Sequence, residues 1–261
     1  MTEIKKANLG LPLEYQKMPE YFDAHNLSAD TEKKNALIER LLKSKNVTTV
    51  LDMTCGTGSQ VFYLHERGYK VTGSDFSPAL IEQARKKAKS QSKDITFIDG
   101  DVRNLHLGQF DAVITIFNAI GHLTKLDFQK ALKNIHGNLK EGGIYIFDIF
   151  NLEALTDKVI ETFDMNIENV VNGVKIQNTQ NSEIDRENRL LTSHDRLTIY
   201  KNEHDPEVYT NSFSLQIYTA GELNEMLSHN GFDVVHQYDM GGNDFVHEKS
   251  LNILTIAKKI S

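Results

Sequence analysis

"VLDMTCGTGSQ", residues 50–60, closes an apolar run with an acid and follows it with two glycines two positions apart. The run "VTTVLDM" reads as a buried strand, and a glycine turn straight after a strand lets the backbone approach a ligand closely. Gly56 and Gly58 match the first two positions of the dinucleotide fingerprint G-x-G-x-x-G, but Val61 stands where the third glycine belongs. The neighbours of the turn must therefore say which ligand it takes.

Outward from this stretch, apolar runs alternate with segments of helical periodicity between Val47 and Asn151, the pattern of strands joined by crossover helices. "VTTVLDM", "KVTGSDF", "ITFIDG", "FDAVITIF" and "GGIYIFDIF" read as five strands of a parallel sheet. "SQVFYLHERG", "SPALIEQARKKAKSQ" and "DFQKALKNIHGNLKEGG" read as helices, the last stopping at Gly142. Ser77 followed by Pro78 is an N-cap with proline at the first helical position, which puts Asp75 and Phe76 at the carboxyl end of the second strand. From 164 to 217 apolar and polar residues alternate, with an Asn-Gly turn signal at 172, so antiparallel strands are expected to be inserted there. A capped helix, "TAGELNEMLSHNGF", and two last strands, "DVVHQYDM" and "LNILTIAKK", follow. The expected organisation is one domain over 1–261, with residues 1–45 as an N-terminal helical lid segment and 164–217 as an insertion.

Bulk composition narrows the function. The chain has 29 basic and 36 acidic residues, a formal charge of −7, which is the wrong sign for affinity based on neutralising phosphates, so nucleic acid is not expected as a partner. The basic run "ARKKAKSQSK" (84–93) reads as the solvated face of a helix. No apolar stretch is long enough to span a bilayer and the start "MTEIKKANLG" has no apolar core, so neither a membrane partner nor export is expected, and the location is expected to be cytoplasmic. The single cysteine, Cys55, excludes an internal disulfide and lies within the glycine turn without a base nearby in sequence. No histidine pair has metal-ligand spacing, so no metal is expected.

The acids choose the ligand. Asp52 beside the turn repels a pyrophosphate and favours a cation, and S-adenosylmethionine carries an ammonium and a sulfonium but no phosphate. Asp75 follows Gly58 at about the spacing from which a carboxylate accepts hydrogen bonds from ribose hydroxyls. Phe76 then lies against the adenine face, and Asp101 with Val102, in "DGDVRNL", meets its amino edge.

With these residues in place the chain resembles the class I S-adenosylmethionine-dependent methyltransferases. "VLDMTCGTG", "VTGSDFSPALIEQAR", "DGDVRNL", "FDAVITIFNAIGHL" and "LKEGGIYIFDIFN" are similar to that family's five motifs in order. The resemblance implies a doubly wound, mostly parallel seven-stranded sheet of order 3-2-1-4-5-7-6 with the seventh strand antiparallel, and S-adenosylmethionine as methyl donor. It implies cofactor contacts from Tyr15, Asp52, Cys55, Gly56, Gly58, Asp75, Phe76, Asp101, Val102, Phe117 and Asn118. "FNAIGHL" and "ALKNIHGNLKEGG" most resemble glycine N-methyltransferase and amino-sugar N,N-dimethyltransferases, which act on small amines. In those enzymes the insertion and an N-terminal tyrosine segment cover the active site. That comparison makes His122 and Tyr21 the candidate catalytic residues and a small-molecule amine the expected acceptor, with homodimers common in the family. Glycine N-methyltransferase has D-H-R-N at the end of the fifth strand, its arginine gripping the substrate carboxylate; this chain has "DIFN", with Phe150 there.

Other readings stay open at this stage. An O-methyltransferase shares every cofactor motif, and so does a protein that binds S-adenosylmethionine without turnover. A nicotinamide dehydrogenase is disfavoured by Val61 and Asp52.

Overall fold

A computed structural model describes residues 9–15, 17–28, 30–171, 173–201 and 205–260. The first eight residues of the expected lid, and Asn172 of the expected hairpin turn, lie outside them.

The central sheet contains β1 (Thr49–Asp52), β2 (Lys70–Asp75), β3 (Thr96–Asp99), β4 (Phe110–Thr115), β5 (Leu139–Phe150), β10 (Phe232–Tyr238) and β11 (Asn252–Lys259). Its order, β10-β11-β5-β4-β1-β2-β3, is the expected one read from the other edge. β1 to β5 pair in parallel, and β11 runs antiparallel to both β5 and β10. β1 therefore lies between β2 and β4, so successive crossovers leave it in opposite directions and open a crevice at its carboxyl end.

Strand pleating divides the core into two layers. Val50, Ile114 and Ile146 face α2 (Thr31–Lys43), α3 (Ser59–His65) and α4 (Pro78–Ser90), which contribute Ile38, Leu42, Leu64 and Ile81. Leu51, Val113 and Phe147 face α5 (Lys125–Asn138) and α7 (Ala220–His229), which contribute Phe128, Leu132, Leu223 and Leu227. Each such side chain, fully buried, stabilises the fold by about 1.5–3 kcal/mol. The caps are as read: the Ser77 hydroxyl accepts the Leu80 N–H, and Thr219 and Glu222 form a capping box.

One boundary differs. α5 ends at Asn138, and Leu139–Gly143 belong to β5 rather than to the tail of the helix. Asn138 is fully buried and its side-chain Oδ1 accepts the Leu107 N–H at 2.8 Å, while Gly142 takes φ +71° where the β4–β5 register shifts. Gly142 thus serves a bulge inside the strand instead of a helix stop.

The insertion is a separate antiparallel sheet of β6 (Met165–Val171), β7 (Val174–Asp185), β8 (Leu190–Tyr200) and β9 (Glu207–Gln216), in that order. The N-terminal segment reaches it as a strap. The Ser214 N–H donates to the Leu9 carbonyl at 2.6 Å and the Asn211 side chain to the Leu11 carbonyl at 2.9 Å. Two 3₁₀ turns (Leu13–Tyr15 and Pro19–Tyr21) and α1 (Phe22–Asn26) complete the strap.

Candidate active site

The carboxyl ends of β1, β2 and β4 open into a cavity of about 330 Å³, roofed by the strap. Asp52, Cys55, Gly56, Asp75, Phe76, Asp101, Val102, Phe117, Tyr15 and His122 all line it. The structure thus gathers into one chamber residues that the sequence spreads over more than a hundred positions.

The glycine turn is held by the second strand. Gly56 has φ +53° and donates its N–H to Oδ2 of Asp75 at 2.8 Å, while Oδ1 of Asp75 accepts the Ser77 N–H at 2.9 Å. Gly58 does not line the cavity. It has φ +94° at the N-cap of α3, and a Cβ there would meet Phe62 at 2.9 Å and Phe97 at 3.0 Å, so its role is to let the turn close.

Two buried acids face the chamber without a cation. Burial pushes Asp52 up to about 8, with Asp75 adding to the rise, and pushes Asp75 up to about 6 against the N–H groups that hold it. Among the described residues no ion pair reaches either carboxylate. Buried charge without a partner is costly, and a cationic ligand removes that cost. The ring of Phe76, 41% exposed, and that of Phe117, 39% exposed, offer flat apolar faces to the same space.

Asp101 is held by Arg103, whose Nε lies 2.9 Å from both carboxylate oxygens and whose Nη1 donates to Asp127 at 3.1 Å. Burial lifts the Asp101 carboxyl, but these charged hydrogen bonds outweigh it and keep Asp101 below its ordinary value. Cys55 is buried, and desolvation raises its thiol well above the ordinary value, so it carries no thiolate for covalent chemistry.

His122 closes a 3₁₀ turn (Ala119–His122) that follows β4. Its ring packs between Tyr15 of the strap, centroids 5.2 Å apart, and Phe213 of β9, 5.8 Å apart. Nδ1 is buried with no hydrogen-bond partner, and desolvation lowers the imidazole to about 4, so the ring is neutral. Asn118 is not a cavity wall: with φ +57°, it accepts the Phe150 N–H through Oδ1 at 2.9 Å and donates its own N–H to Asp148 at 3.1 Å. It fastens the loop after β4 to the end of β5. Tyr21 also lies elsewhere, in a crevice with Leu13, Met18 and Leu197 that does not include His122.

Several cavity residues carry no signal in the sequence. Phe22 of α1 covers Gly56, where a Cβ would sit 3.0 Å from its ring. Asp23 accepts the Thr57 hydroxyl at 2.6 Å and pairs with Lys87 of α4, so one member of the basic run pins the strap. Leu9 and Leu11 wall the chamber because β9 holds them there.

The site is thus an acidic, aromatic chamber at the glycine turn of a doubly wound α/β sheet. Residues 50–143 match the family model described as a methyltransferase domain. The chain is 34% identical over 134 residues to a glycine/sarcosine N-methyltransferase of Parasynechococcus marenigrum (strain WH8102), covering 50% of this chain and 48% of that one. Human glycine N-methyltransferase is 30% identical over 132 residues, covering 44% and 45%. The chain thus spans about half the length of these curated relatives. In fold it is similar to an S-adenosylmethionine-dependent methyltransferase from Clostridium acetobutylicum ATCC 824, with TM-score 0.76, 20% identity and coverage of 92% of this chain and 96% of that one. It is also similar to CalS10, an amino pentose methyltransferase of Micromonospora echinaspora solved with S-adenosylmethionine bound, with TM-score 0.71, 17% identity and coverage of 93% and 97%.

Proposed function

We propose that the chain is an S-adenosylmethionine-dependent methyltransferase acting on a small molecule, with an amine nitrogen as the methylated atom. The observation that carries this reading is the pair Asp52 and Asp75, two buried carboxylates with no protein cation, facing a chamber with flat aromatic walls. The donor set fits the group. Asp75 keeps a free lone pair on each oxygen for ribose hydroxyls, Phe76 offers a face for adenine, and Asp52 offers negative charge to the cationic methionine end. When bound, S-adenosylmethionine supplies a methyl on a sulfonium, whose C–S bond breaks as the acceptor's lone pair forms the new bond and the electrons leave on sulfur.

The protein's own residues position and dry the reaction. The strap and β9 enclose the chamber, and alignment of this kind is worth roughly 7–11 kcal/mol. His122, neutral and with an unpaired Nδ1, hydrogen-bonds the acceptor nitrogen and aligns its lone pair, and the proton that the new ammonium sheds leaves to solvent. Tyr21 serves the packing of strap against insertion, and Tyr15 is the tyrosine placed beside His122.

Incubation with S-adenosylmethionine and separate pools of small amines and small alcohols tests the reading. Formation of S-adenosylhomocysteine that depends on the amines is expected. Tight cofactor binding with no turnover on either pool would instead identify a binding protein, and turnover on alcohols alone an O-methyltransferase.

A further inference from the structure

The chamber has an apolar wall as well as its acids. Leu9, Leu11 and Leu123 line it, and Tyr15 and Phe213 flank the His122 imidazole. Charge in the cavity is one-sided. Among the described residues that line it, Arg103 is the one permanent cation, and its guanidinium is committed to Asp101 and Asp127. His122 is neutral, and Asp75, joined above about pH 8 by Asp52, sets a negative field.

The end of β5 supplies no cation either. Phe150 sits away from the cavity, its ring 5.4 Å from that of Phe163 in a cluster with Leu155, Ile160 and Leu215. An acceptor carboxylate placed beside His122 would lose its hydration and meet leucines and repelling acids. An amine brings no negative charge to those acids and reacts as its neutral form, and an alkyl or aryl body gains by leaving water against the leucines.

Resting on the methyltransferase reading, we infer that the acceptor is a lipophilic amine without a carboxylate, held with its body against Leu9, Leu11 and Leu123 and its nitrogen at His122. This separates the chain from its relatives named for glycine and sarcosine as acceptors.

The full chain, with S-adenosylhomocysteine bound, is titrated calorimetrically with benzylamine, hexylamine, glycine and sarcosine, and kcat/KM is measured for each with S-adenosylmethionine. Benzylamine or hexylamine is expected to be preferred over both amino acids by about tenfold or more in affinity and in kcat/KM. Equal or better binding of glycine or sarcosine overturns the inference, as does failure of both lipophilic amines to bind while S-adenosylhomocysteine does. Absence of S-adenosylhomocysteine binding brings down the cofactor reading itself, and this inference with it. Leu11→Arg places a cation in the wall and is expected to shift the amine-to-sarcosine ratio toward sarcosine by about fivefold or more; an unchanged ratio contradicts the placing of the acceptor.

Discussion

The carboxylate of Asp75 at the end of β2 holds Gly56 at the end of β1 through a 2.8 Å hydrogen bond. One side chain therefore both shapes the glycine turn and faces the chamber that the turn opens. A ligand that adds hydrogen bonds to Asp75 stabilises the turn as it binds, and replacing Asp75 weakens both.

Asp52 ties ligand binding to pH. Its folded-state value is raised from 3.8 to about 8, so its contribution to the stability of the ligand-free protein is present below about pH 4 and is lost as pH rises through about 8. A cationic ligand favours the carboxylate, so binding below about pH 8 releases a proton. Affinity for S-adenosylmethionine is expected to rise between about pH 6 and pH 8 and then flatten. Calorimetry in two buffers of different ionisation heat measures the released proton, and a pH-independent affinity contradicts the assignment.

His122 gives the opposite sign. Its value is lowered from 6.5 to about 4, so its contribution to stability is present above 6.5 and lost as pH falls through about 4. The rate profile is expected to show no His122 inflection near 6.5. His122→Ala is expected to lower kcat by about 100-fold while the S-adenosylmethionine Kd stays within about threefold. Equal losses in both would mark His122 as a packing residue.

Asp23 carries the strap's attachment to the turn and to α4. Asp23→Ala removes one hydrogen bond and a half-exposed ion pair, a loss of about 1 kcal/mol. S-adenosylmethionine affinity is expected to fall roughly fivefold, with faster tryptic cleavage after Lys17. Cleavage and affinity like those of the parent protein would show that the strap is held by other contacts.

Gly58→Ala forces a side chain into φ +94° and against Phe62 and Phe97. A destabilisation of about 1–3 kcal/mol is expected in thermal or denaturant unfolding. An unchanged midpoint would mean that the turn relaxes without a left-handed residue.

The central sheet was legible because its signals are local: apolar strands, a Ser-Pro cap, a glycine turn and strand-end acids each act over a few residues. The roof was not, since Leu9 meets Ser214 and Asn211 meets Leu11 across two hundred positions with no pattern in either stretch. Tyr15 and Tyr21 carry the same signal in the sequence, and the two 3₁₀ turns of the strap place one in the chamber and the other against the insertion. Gly142 was ambiguous for a related reason: a positive φ suits both a helix stop and a bulge, and only the pairing of β4 with β5 separates them.

The most direct test is calorimetric titration of the full chain with S-adenosylmethionine, alongside NADH and an Asp75→Ala variant. Micromolar binding of S-adenosylmethionine is expected, weakened by roughly 30-fold or more in the variant as the hydrogen bonds to a charged acceptor are lost, with no binding of NADH. Binding of NADH in place of S-adenosylmethionine, or S-adenosylmethionine affinity unchanged in Asp75→Ala, would contradict the assignment of the chamber.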